Sequence, residues 1–132
     1  MVNAYEAGEE FATRVDDAYT RSAMGIRVPA AVGDFLILRA VRESGGWAVA
    51  VDDDAIDEAQ MEFAKKEGFL LCPEGAATYA ATKKGLADGS IKKTDRVLLF
   101  NCATGLKYPM PPSNNDIDRH QPIDYGVIAK GI

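Results

Sequence analysis

The stretch Arg96-Val97-Leu98-Leu99-Phe100-Asn101-Cys102-Ala103-Thr104-Gly105-Leu106-Lys107-Tyr108-Pro109 decides the reading of this chain. Val97 to Phe100 is a short apolar run of the kind that forms a buried strand. Asn101 to Gly105 is small, mostly polar and glycine-containing, as a turn requires. In an open α/β sheet the carboxyl end of such a strand faces the ligand crevice.

Two similar runs lie upstream. Trp47-Ala48-Val49-Ala50-Val51 is apolar and partly β-branched, and Phe69-Leu70-Leu71-Cys72 repeats the pattern. Between them Ile56, Ala59, Phe63 and Ala64 share a helical face, with Gly68 as the stop. Asp52-Asp53-Asp54 precedes that helix and reads as an N-cap with favourable charge at its positive end, rather than as a metal site. A further helix is expected from about Ala76 to Ala87, closed by Asp88-Gly89. Strand, helix, strand, helix, strand predicts an α/β fold: a parallel βαβαβ unit with right-handed crossovers and helices on both faces. Val49, Leu71 and Leu99, the middles of the runs, are expected on neighbouring strands.

Upstream, Asn3 to about Met24 keeps roughly helical spacing at Ala4, Phe11, Val15 and Ala18, and predicts a helix. A second helix is expected over Ala30 to Glu43, ending near Ser44. The domain organisation is then a single segment: about 1–46 helical, 47–109 βαβαβ with the ligand edge, and 110–132 an extended tail rich in Pro, Asn and Asp.

Composition excludes several functions. A chain of 132 residues with 47% apolar and 27% charged content suits one globular domain. Its net charge of -5 argues against nucleic-acid binding, and the paired lysines read as solvated faces. No apolar run is long enough to span a bilayer and no secretory signal opens the chain, so a cytoplasmic location is expected. Cys72 and Cys102 are not at a metal-binding spacing and His120 is the one histidine, which leaves almost no ligands for zinc.

Parallel pairing would gather Asp52, Cys72-Pro73-Glu74 and Asn101-Cys102-Ala103-Thr104 along one edge, the generic ligand edge of the fold class. Taken with Leu70-Leu71-Cys72-Pro73-Glu74-Gly75-Ala76-Ala77, the Arg96 to Pro109 stretch closely resembles the C-terminal part of the threonine synthase family, pyridoxal-phosphate (PLP) enzymes of the type-II fold. The resemblance runs from about Ala4 to Tyr125. It implies PLP as cofactor and conversion of O-phosphohomoserine and water to threonine and phosphate. It places Cys102 at the pyridine nitrogen, with Thr104 second, and Ala103, Glu74 and Gly75 beside the cofactor. A neutral group at the ring nitrogen suits an unprotonated ring. Without the resemblance, Cys102 reads as a buried structural thiol, and Glu74 equally as a carboxylate in the first turn of a helix.

Two family segments are absent from the sequence, the Schiff-base lysine motif and the glycine-rich phosphate loop. The chain is therefore expected to be an enzyme fragment with no catalytic residue of its own, inactive alone and partnered by the rest of the enzyme chain, with homo-oligomerisation left open. Lys107 does not match the imine lysine, and Arg27, in a matching Gly-Ile-Arg-Val-Pro segment, either meets substrate phosphate or packs. The competing readings are a related type-II lyase or dehydratase fragment and a non-catalytic binding domain.

Overall fold

The structure, a computed structural model, describes residues 1–109, 118 and 120–126. Among the described residues the chain forms, in order, α1 (Val2–Glu6), α2 (Asp34–Glu43), α3 (Asp53–Glu67) and α4 (Pro73–Asp88), with 3-10 turns at Met24–Ile26 and Gly105–Lys107. Most of the 110–132 tail lies outside the described residues. No described helix is long and apolar enough to cross a membrane.

Local chemistry delimits α3 and α4. Asp52 caps α3 by accepting from the Ala55 N–H at 2.8 Å, Asp53 and Asp54 occupy the positive end, and Lys65 and Lys66 sit at the negative end. Cys72 caps α4 through its sulfur, Pro73 takes the first helical position, and Gly68 and Gly89 close the two helices in the left-handed region. The α4 start at Pro73 is three residues earlier than expected, because proline there loses no helical hydrogen bond.

These two helices form the principal packed pair, and the Met24–Ile26 turn leans on α4. Ala23, Ile56, Ala59, Leu71, Ala76 and Ala80 make the core, with Val51, Phe63 and Tyr79 against it. Alanines at 59, 76 and 80 let the backbones approach closely, so the core is thin and leaves several large side chains outside it. Helix α2 is tied instead to the N-terminus: Arg42 donates to the Ala4 carbonyl at 3.0 Å and the Tyr5 hydroxyl to the Gly46 carbonyl at 2.9 Å.

Two expectations are corrected. The helix expected over Asn3 to Met24 stops at Glu6, where Gly8 adopts φ +73° and the chain turns off. Beyond it the backbone is held by tertiary partners: the Ala12 N–H donates to Asp34 at 2.6 Å and the Val15 N–H to the Pro29 carbonyl at 2.9 Å. The parallel sheet is not formed among the described residues. Trp47 to Val51, Phe69 to Cys72 and Val97 to Phe100 are joined by no ladder, and the bridge at Leu71 pairs it with Thr104 in the antiparallel sense. The physical reason is lack of cover: a parallel strand is stable when flanked and buried on both faces, whereas Leu98 is 93% and Phe100 79% exposed.

Candidate functional site

The Leu71–Thr104 bridge brings the two sequence motifs together. The Cys72 N–H donates to the Ala103 carbonyl at 3.3 Å and the Gly105 N–H to the Leu70 carbonyl at 2.9 Å. Close approach at Gly105 makes this contact feasible: a Cβ there would stand 2.5 Å from the Leu71 carbonyl oxygen and 2.6 Å from the Leu70 side chain. Thr104 closes the turn, its hydroxyl accepting from the Leu106 N–H at 3.3 Å.

Cys72, Glu74 and Cys102 converge as a result, with their ligand atoms within 4.8 Å of one another. Cys72 is fully buried and Cys102 exposed. The Cys72 thiol donates to Asn101 Oδ1 at 3.3 Å and its sulfur accepts from the Gly75 N–H at 3.3 Å. Cys72 and Cys102 also meet thiol to thiol across a sulfur–sulfur distance of 3.7 Å, where either can donate. That hydrogen bond, with burial second, holds the Cys102 thiol above its ordinary value and therefore neutral near pH 7. Gly75 admits Asn101 directly over its Cα, where any side chain would collide.

Glu74 is held on both oxygens. Oε1 accepts from the Gly25 N–H at 2.7 Å and Oε2 from the Tyr108 hydroxyl at 2.7 Å. Burial pushes its carboxyl up, but the Tyr108 and backbone hydrogen bonds outweigh burial and leave it below the usual carboxylate value. The Glu74 carboxylate in turn pushes Tyr108 up to about 12. Glu74 is therefore an ionised clasp between three segments, and it is poorly placed to deliver a proton to anything else.

Sequence reasoning named Cys102, Ala103, Thr104, Glu74 and Gly75, and the structure brings them to one turn pair. It did not name Tyr108 or Gly25. Tyr108 lay within the opening stretch without a spacing signal, and Gly25 contributes a backbone N–H from 49 residues away. Asp52, expected both on the ligand edge and as a helix cap, caps α3. Asp53 and Asp57 bind Thr20 and Ser22, and Arg21 bridges Asp54 and Asp57 at 2.8 and 2.7 Å. Arg27 packs its guanidinium 5.8 Å from the Tyr19 ring centre. Lys107 is exposed in the 3-10 turn.

An open cleft of about 630 Å³ is lined by Met24, Gln60, Met61, Pro73 and Tyr108 among others, and Glu74 is not in its lining. Cys102 does not line it.

Comparison with known proteins gives a consistent picture. The profile of a family described as "Pyridoxal-phosphate dependent enzyme" matches residues 1–103. A threonine synthase of Methanocaldococcus jannaschii is 39% identical over 87 residues, covering 66% of this chain and 22% of the relative. A threonine synthase of Methanosarcina acetivorans is 33% identical over 109 residues, covering 83% and 27%. One of Halalkalibacterium halodurans is 36% identical over 72 residues, covering 54% and 20%. The chain thus spans about a quarter of the length of the curated relatives it matches.

Proposed function

The chain belongs to the pyridoxal-phosphate dependent enzyme family, and we propose that it is a segment of a threonine synthase that borders the cofactor ring and acts on O-phosphohomoserine. The observation that carries this reading is the similarity to three threonine synthases, the longest match running through 83% of the chain. The donor set supports it. Cys102 offers a neutral, exposed thiol that can turn its S–H from Cys72 toward a ring nitrogen without forcing protonation.

When bound, PLP supplies the electron sink for the reaction. The residues of this chain that would hold it are Cys102, toward the ring nitrogen, with Thr104, Ala103 and Gly75 beside it, while Glu74 fixes the turn through Tyr108 and Gly25. A protonating acid at the ring is not furnished by Glu74, whose oxygens both accept. In the type-II fold the three apolar runs would join a parallel sheet once flanking strands cover Leu98 and Phe100.

Alone, the 132-residue chain should release no phosphate from O-phosphohomoserine with added PLP, since its sequence holds neither the imine-lysine motif nor the phosphate loop of the resembled family. A graft tests the assignment itself. Replacing the matched segment of the Methanocaldococcus jannaschii relative with that of this chain should preserve threonine and phosphate formation. A folded graft that holds PLP but makes no threonine, or deaminates threonine instead, would overturn the reading.

A further inference from the structure

The thiol pair does more than border a ring. Thirty residues separate Cys72 from Cys102, yet their sulfurs lie 3.7 Å apart. Tetrahedral coordination with metal–sulfur bonds of about 2.3 Å sets an S···S edge of about 3.8 Å. The pair therefore already has the spacing of two ligands on one tetrahedral cation, and a Glu74 oxygen lies within 4.8 Å of both sulfurs.

We propose that Cys72, Glu74 and Cys102 form a binding site for a thiophilic divalent cation of the Zn2+ and Cd2+ class, with a fourth position open on the exposed Cys102 side. Soft sulfur ligands select such ions over Mg2+ or Ca2+. The supporting shell is in place: Gly75 N–H and Asn101 fix Cys72, while Gly25 N–H and Tyr108 fix Glu74 and leave each oxygen a second lone pair. On binding, two S–H bonds break, two S–metal bonds form, and both protons pass to solvent with no change of oxidation state. Asn101 can then rotate its amide to present the NH2 group to the Cys72 thiolate. Two thiolates and a carboxylate around a divalent cation leave one net negative charge, which suits the positive end of α4.

Cation and cofactor would exclude one another at Cys102; only that consequence rests on the PLP reading. The test titrates the reduced 132-residue chain with Cd2+, following the ultraviolet thiolate-to-cadmium charge-transfer band, with Zn2+ as the displacing competitor. One cation per chain is expected. Cys102→Ser, at an exposed position that spares the core, should remove half the band or more and weaken affinity by at least roughly tenfold, the scale of lost metal-site groups. Glu74→Gln should keep the band and weaken affinity by a similar factor. Circular dichroism verifies that each variant retains its helices. Absence of a saturable band at one equivalent, or an unchanged band and affinity in Cys102→Ser, would overturn the site. In the graft described above, where the relative supplies the rest of the enzyme, pyridoxine 5'-phosphate, which lacks the aldehyde, should raise the apparent Kd for Cd2+. If it does not while one-to-one binding stands, the cofactor assignment of Cys102 fails and the cation site remains.

Discussion

Tyr108 shows how much a single hydrogen bond can do at this turn. Its hydroxyl spans from the C-terminal motif to Glu74 on α4, and the carboxylate raises it to about 12 from an ordinary 10. A group raised in the folded state contributes stability that is present below the unfolded pKa and is lost as pH rises through the folded one. The Glu74–Tyr108 clasp should therefore weaken between about pH 10 and 12. A difference titration of the chain against Tyr108→Phe, read by phenolate absorbance, should isolate one late-ionising tyrosine, and Glu74→Gln should return it to the ordinary range. Gly105 is the second pivotal residue. Gly105→Ala places a methyl group 2.5 Å from a backbone carbonyl that has no rotamer with which to yield, so we expect a loss of roughly 1–3 kcal/mol in urea unfolding, the usual cost of overpacking.

Among the elements, α3 and α4 were readable because their ends are written locally. Asp52, Gly68 and Gly89 act within a turn of their own position, and each is found where the pattern put it. Asp52→Ala should cost about 1 kcal/mol by thermal or urea unfolding, the typical value of a lost N-cap. The pair is further joined by Glu62 on α3, which accepts from Lys66 at 2.7 Å, from Lys83 of α4, and from the Tyr79 hydroxyl at 3.2 Å. Lys66 and Lys83 hold its carboxyl down to about 2. A depressed carboxylate contributes above its unfolded pKa and loses that contribution as pH falls through the folded value. The stability difference between the chain and Glu62→Gln should thus shrink from about pH 4.5 toward 2 and be small throughout at high salt, since Glu62 is only partly buried and both lysines are exposed. A difference that stays constant across that window would show that the pairing adds nothing.

At the scale of the whole molecule, apolar surface outruns the core. Leu98, Phe100 and Leu106 stand exposed along the segment that enters and leaves the site, and the backbone of residues 97–100 joins no ladder. Unpaired apolar backbone of this kind promotes association. Light scattering should show self-association of the chain that falls in a Leu98→Lys, Phe100→Lys double variant. An equally associated double variant would place the sticky surface elsewhere.

The family and the caps and stops of α3 and α4 at Asp52, Gly68 and Gly89 could be read from residue order, since caps and apolar periodicity act over a few positions. Three things could not. The segment after Glu6 lost its helix to partners at Pro29 and Asp34. The apolar runs looked like strands, yet strand pairing depends on neighbours that no run carries in its own sequence. Cys72, Glu74 and Cys102 appeared as separate residues without a ligand spacing, and only folding of Leu71 against Thr104 sets two sulfurs and a carboxylate around one point. Short-range preferences are encoded residue by residue, whereas convergence over 30 positions is a property of packing.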